Sequence, residues 1–412
     1  MDTSARASRH VGPPRPATSL PRVRAARTAG LAIAVMFMGS TLLTPLYALH
    51  RREFGFSEVT LTLVYAAYVV GNMSALFVFG RVSDQIGRRR TVLPAMAFGA
   101  VPMLVFLFAA STPWLFVARA LSGLAIGIAT AAATAWVAEL MGDDDKARAS
   151  ALATTANMLG VAAGPLLSGP LAQHAPAPLR TSYVVYLVLL GLVAWRVLSV
   201  PETVNDPVRR WRDVSFRPRL GVPPGIRVPF IAPAVAAFAV FALGGYYAAL
   251  VPALLSESLG HSSAAVAGAV VAELYAVAAA AVMATRKLSS RTAMLAGLAV
   301  LLPSVGLLLL AQTAASMPAL LLGTACGGVA LALTYRGSLQ VINAIAPEDQ
   351  RAEVVASYLI VSFLGNSLPV IGVGVLSRAT GPATAHGVFA AVIAVLAIVA
   401  MATGWKFAPR NG

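Results

Sequence analysis

Read for hydropathy alone, the chain is a succession of long apolar runs separated by short polar breaks. Twelve runs can be drawn, at 28–50, 58–80, 92–111, 113–138, 148–172, 180–201, 229–256, 262–285, 292–312, 316–343, 351–376 and 383–404. Each is near the roughly 20 residues that an α-helix needs to cross a hydrocarbon core. Residues 1–27 are rich in Arg, Pro and Ala without a long apolar run, and read as a disordered basic tail. A polar interval, 202–228, punctuated by Pro207, Pro218, Gly221, Pro223, Pro224 and Gly225, divides the runs into two sets of six. The pattern predicts an all-α membrane protein: a six-helix half over 28–201, a linker over 202–228, a second six-helix half over 229–405, and a short tail over 406–412. The first run is too long for a signal-peptide core and further spans follow it, so cleavage is not expected.

Composition agrees. Only 11% of the 412 residues are charged and 58% are hydrophobic, far from the usage of a soluble globular domain. The net charge of +15 raises the question of nucleic acid, and the placement of the charge answers it. On this topology 25 of the 31 Lys and Arg fall on one side, and Arg51, Arg52, Arg180 and Arg378 on the other, with Arg119 and Arg336 inside helices. Membrane proteins keep basic residues on the cytoplasmic side, so the excess predicts orientation and no nucleic-acid partner. Both termini are expected in the cytoplasm, with the chain in the cell (inner) membrane. In the linker, Arg209, Arg210, Trp211 and Arg212 either rest on anionic headgroups or form a solvated connection. The single cysteine, Cys326, excludes an intrachain disulfide and reads as a packing residue.

The halves echo each other. Lys146-Ala147-Arg148-Ala149 opens the fifth run and Gln350-Arg351-Ala352-Glu353 the eleventh; Leu159-Gly160 is answered by Leu364-Gly365, and Gly164-Pro165 by the Leu368-Pro369 region. Internal repeats are what secondary-transporter folds are built from.

Residues 80–91 read Gly-Arg-Val-Ser-Asp-Gln-Ile-Gly-Arg-Arg-Arg-Thr, a basic turn between two apolar runs. Asp84 needs a partner so close to the membrane, and Arg88, four positions on, reaches it if the segment is helical. Gly80 and Gly87 allow tight turning. The pattern resembles the loop between helices 2 and 3 of the major facilitator superfamily, with Gln85 where a basic residue is usual. The resemblance extends over about 28–405 and implies two pseudo-symmetric halves of six helices around a central site that opens alternately to either side. It also implies that Gly80, Asp84, Gly87 and Arg88 form an inner gate with Glu139 at the end of helix 4. Asp143, Asp144 and Asp145 read as a solvated face capping the next helix.

The fourth run carries Arg119-Ala120-Leu121-Ser122-Gly123, similar to the superfamily motif whose arginine is implicated in proton coupling, with Ser122 in place of Gln. An arginine two turns inside a membrane helix either faces a polar interior or snorkels to the interface. In the fifth run Gly160, Gly164, Pro165 and Gly169 resemble the gate motif of drug:proton antiporters, with departures at Ser168 and Ala151. Small residues four apart allow close helix contact and the proline bends the helix.

Glu273 is the one carboxylate near the middle of a run, and Arg336, in another helix of the same half, is its expected counter-charge; the pair is read as a proton-coupling device or a permanent structural ion pair. Thr41, Tyr68, Asn72, Asn157, Tyr246, Tyr335, Tyr358 and Asn366, together with Thr44, Tyr65 and Tyr247, are expected to line a cavity suited to a moderately apolar ligand. His50, His174 and His261 have no neighbours that make a site. Neither a nucleotide-binding glycine loop, a metal cluster nor a catalytic triad can be assembled, so cofactors, metals and enzymatic activity are not expected. The expected function is proton-coupled efflux of a small amphipathic compound, a drug or natural product, by a monomer working with protons in the lipid bilayer. The alternatives are an uptake symporter or uniporter and, from another class, a non-transporting membrane sensor or scaffold.

Overall fold

The structure, a computed structural model, describes residues 20–79, 82–142, 145–204, 208 and 220–407. Its regular structure is helical throughout: α1 (Leu20–Thr41), α2 (Tyr47–Phe54), α3 (Glu58–Phe79), α4 (Val82–Ile86), α5 (Arg88–Leu107), α6 (Thr112–Met141), α7 (Lys146–His174), α8 (Pro178–Val197), α9 (Arg227–Ala249), α10 (Val251–Glu257), α11 (Ala264–Ala284), α12 (Ser290–Thr313), α13 (Met317–Ile345), α14 (Arg351–Thr380) and α15 (Pro382–Phe407). Among the described residues, 11 helices are long and apolar enough to cross a membrane. α1 is the twelfth long helix. It begins at Leu20, so Arg22, Arg24 and Arg27, expected in the tail, ride on its first turns.

The first and seventh apolar runs are each two helices rather than one. Pro45 falls in the break between α1 and α2, and Pro252 opens α10 just after α9 stops. Proline lacks an amide hydrogen and its ring crowds the carbonyl one turn back, so a helix cannot run through it undisturbed. The two breaks lie at the same end of the molecule, a structural counterpart of the sequence repeat.

Within each half the packing repeats. α3 lies along α6 as α11 lies along α13, and α1 packs on α7 as α9 packs on α14. The Leu-Gly echo is part of this: a Cβ on Gly160 would strike the backbone of Ala34 in α1, and a Cβ on Gly365 the backbone of Phe238 in α9. At both places the missing side chain lets two backbones touch. The halves meet along two seams, α7 against α11 and α3 against α14. The end carrying α4 and the α6–α7 turn is called the basic end below.

Candidate functional site

At the basic end, α4 ends one residue before Gly87, and α5 starts directly after it. The short helix sets Asp84 and Arg88 one turn apart, and Arg88, only 8% exposed, has every guanidinium nitrogen hydrogen-bonded. Its Nη1 donates to Asp84 and to Ser83 Oγ (2.7 Å), while Nε (3.0 Å) and Nη2 (2.6 Å) both donate to Glu139 Oε1 at the end of α6. The other oxygen of Glu139 accepts from the Thr203 hydroxyl. Asp84, Arg88 and Glu139 therefore come together as one cluster that ties α4, α5 and α6. Gly80 lies outside the described residues, as do Arg81, Asp143, Asp144 and the linker's Arg209 to Arg212.

One acid of this cluster escaped the sequence reading. Glu202, just past α8, accepts hydrogen bonds from the backbone amides of Arg88 (2.8 Å), Arg89 (3.1 Å) and Arg90 (3.4 Å). The first amides of a helix have no partner within it and carry the positive end of its dipole, so a carboxylate there is doubly favoured. Nothing in the local sequence links Glu202 to a helix start more than a hundred residues earlier.

The glycine and proline motif of α7 serves two contacts at once. Gly160 and Gly164 face α1, where the Thr41 hydroxyl donates to Val161 O (2.8 Å). Pro165 and Gly169 face the other half: a Cβ on Gly268 of α11 would strike Pro165 O, and one on Gly169 would meet Ala264 O at 2.7 Å. Toward the end opposite the basic loops this seam is laced by Gln173 Oε1, which accepts from Ser263 Oγ (2.6 Å) and Ala265 N (3.2 Å), and at the same end an Arg51–Glu257 ion pair (3.5 Å) joins α2 of one half to α10 of the other. The α3–α14 seam is laced there by Ser377 Oγ donating to Glu58 Oε2 (3.0 Å) and, deeper, by Asn366 Nδ2 donating to Tyr65 OH (2.9 Å).

Arg119 is buried, at 2% exposure, and does not snorkel. Its Nη1 donates to Ser40 O at 2.7 Å, and its guanidinium carbon lies 5.9, 5.4 and 4.9 Å from the ring centres of Tyr47, Tyr65 and Tyr68. No carboxylate partners it among the described residues. Tyr47 was not foreseen, and neither was Tyr275, whose hydroxyl donates to Gly244 O (3.4 Å).

The expected Glu273–Arg336 pair does not form. Arg336 donates from Nη1 to Thr285 O (2.7 Å) and from Nη2 to Leu288 O (2.8 Å), bridging the end of α11 and the turn into α12. Glu273 lies 12 residues back along α11, about 18 Å at the helical rise. It is half-buried on the side that carries exposed Ala269, Ala276 and Ala280, and makes no ion pair among the described residues. Two nitrogens of Arg336 meet the free carbonyls at a helix end, while its buried Nε has no partner, so the side chain is held at that end and does not reach Glu273.

The expected cavity residues divide. Tyr65 and Tyr68 gather around Arg119, and Asn366 is bonded to Tyr65. Asn72 is buried against Gly127 in the α3–α6 contact, and Thr41 is spent on α7. Tyr246 turns into the second half, bonded to His386 Nδ1 (2.7 Å) and stacked on Phe389; Tyr247 bonds Thr324 (3.0 Å) and Tyr358 bonds Ser338 (2.7 Å). These three are packing residues, a correction to their expected place in the cavity. Thr44 is buried and Asn157 half-buried on α7. Tyr335 meets Phe241 edge-on, at 5.4 Å between ring centres.

Comparison with known proteins extends the description. A family model described as Major Facilitator Superfamily matches residues 29–313. The chain is 30% identical over 174 residues to the multidrug transporter MdfA of Yersinia pestis, covering 39% of this chain and 41% of that protein. It is 23% identical over 160 residues to the chloramphenicol resistance protein CraA of Acinetobacter baumannii, covering 39% and 38%. The matched region thus spans about two fifths of the length of these curated relatives. Among solved structures, a bacterial homologue of the human lysosomal transporter Spinster, inward-facing and occupied, superposes with a TM-score of 0.73 at 18% identity over 94% of this chain and 97% of that one. The human organic anion transporter MFSD10 does so with a TM-score of 0.68 at 18% identity over 93% and 100%.

Proposed function

The chain belongs to the Major Facilitator Superfamily, and from that premise we propose that it exports a small amphipathic compound by alternating access, driven by protons moving inward. It is a multi-pass membrane transporter and not an enzyme. The observation that carries the export reading is the double use of helix α7: Gly160 and Gly164 fix it to α1 while Pro165 and Gly169 press on α11 across the seam. A helix that carries prolines, belongs to one half and presses against the other is suited to a gate. The relatives named as multidrug and chloramphenicol-resistance proteins support the same direction.

By the positive-inside rule the basic end faces the cytoplasm, with both termini there and the chain in the cell membrane. The lacing between halves described above then lies at the outer end, so this is the shape that takes its substrate from inside. The proton is assigned to Glu273, the one mid-span carboxyl among the described residues, with no ion pair to hold its charge fixed. Arg336 has no part in this.

The experiment is an untargeted comparison of small molecules retained by cells with and without the protein. An exporter depletes a defined set of amphipathic compounds from cells that contain it. Enrichment of that set inside would establish uptake, and unchanged retention would end the export reading.

A further inference from the structure

Two buried hydrogen-bond donors in the central cluster have nothing to donate to. Nε of Arg119 and the hydroxyl of Tyr47 are both closed off from solvent and without a partner, and the Arg119 guanidinium lies over the Tyr47 ring. Such orphans are rare, and each demands an explanation. The arginine also brings an uncompensated charge, since guanidinium stays protonated in a protein and no carboxylate of the described residues reaches it. Three tyrosine faces offset part of that charge through their quadrupoles, but they supply no anionic oxygen.

A positive charge, two unpartnered donors and a wall of aromatic rings together suit one kind of ligand: a planar anionic group carrying at least two oxygens, attached to a flat apolar body. A guanidinium recognises carboxylates through two parallel N–H groups, and with Nη1 engaged on Ser40 O the Nε–Nη2 edge of Arg119 is the one left to do so. The position suits a transported molecule. Arg119 sits seven residues into α6, about 10 Å from that helix's start. Tyr65 of the cluster is bonded across the seam to Asn366 of the other half. A ligand bound here touches groups of both halves beneath the closed end.

We propose that Arg119 and Tyr47, walled by Tyr65 and Tyr68, bind the carboxylate of the transported compound, which is therefore an aromatic organic anion. The proposal rests on reading the chain as a transporter with a central site. An anionic substrate also fits export, because a membrane potential negative inside drives it outward.

The test is equilibrium binding to the full-length protein in nanodiscs of three radiolabelled probes that share one body: 2-naphthoate, 2-naphthamide and 2-(aminomethyl)naphthalene. Wild type is expected to hold the naphthoate at least tenfold tighter than either of the others. Arg119→Gln should erase that preference, and Arg119→Lys, which keeps the charge without the fork, should retain a reduced one. Should Arg119→Gln fail to insert, Tyr47→Phe removes one donor without altering the charge and should lower the preference severalfold. No preference for the naphthoate in wild type, including no binding of any probe, overturns the proposal; so does protection by chloride alone with no discrimination among the probes, or an unchanged preference in a folded Arg119→Gln. A wild type that exports neutral or cationic compounds would refute the anion assignment and leave the export reading standing, whereas a wild type that moves nothing would refute export itself.

Discussion

The carboxylate of Glu202 lies where a side chain on Gly87 would begin: a Cβ built there would stand 2.6 Å from Glu202 Oε2. Gly87 also has φ of +110°, which L residues rarely adopt. Backbone and acid thus fit each other, and the fit brings Glu202 onto the first amides of α5. Gly87→Ala is expected to cost about 1–3 kcal/mol, the usual range for forced backbone strain. Heat resistance of the detergent-solubilised protein should fall accordingly, and an unaltered melting curve would show that the Gly87–Glu202 fit is not needed.

Within the latch the two acids are unequal. Glu139 receives two donors of Arg88, and Asp84 is the more exposed, at 53% against 35% for the side chain. Asp84→Asn should therefore lower stability by about 1 kcal/mol or less and Glu139→Gln by about 2 kcal/mol, between the values for exposed and buried pairs. Both should slow transport without preventing membrane insertion. Equal effects, or normal transport kinetics in both variants, would remove the cluster from the mechanism.

Glu273 and Arg336 are expected to be energetically independent. In a double-mutant cycle on thermal stability, Glu273→Gln and Arg336→Gln should be additive to within about 0.5 kcal/mol. Arg336→Gln alone destabilises, because the carbonyls of Thr285 and Leu288 lose their donors. A coupling of more than about 1 kcal/mol would restore the pair that the sequence had pointed to.

That pair shows what a sequence conveys in this fold and what it withholds. Hydropathy gives depth: it placed the helices, the latch acids at the helix ends and Glu273 at mid-span. Spacing within one helix gives neighbours, so Asp84 and Arg88 were legible at four residues apart, and the Gly160 and Gly365 repeat was legible as an echo. Azimuth between helices is not written locally. Arg336 and Glu273 occupy packed helices, yet the arginine finds carbonyl acceptors at the nearer end. Tyr246, an apparent cavity residue, is turned by its bond to His386. Glu202 and Tyr47 could not be found at all, since their partners come from distant helices and a backbone amide leaves no trace in the residue type.

Orientation is testable on its own. In a Cys326-free background, cysteines at Glu53 and Leu259 should be labelled by a membrane-impermeant maleimide applied to intact cells, and one at Ser215 only after lysis. Labelling of position 215 from outside would invert the topology and with it the side from which substrate is taken.

Proton-driven export is tested most directly in proteoliposomes that hold the purified protein under an imposed pH gradient, with a compound found depleted in the cell comparison. Wild type should move it uphill, against the direction of proton flow, and a protonophore should abolish the accumulation. Glu273→Gln, which keeps the size and loses the titration, should bind the compound yet only equilibrate it. Full gradient-driven accumulation in Glu273→Gln, or wild-type movement that ignores the gradient, would contradict the account.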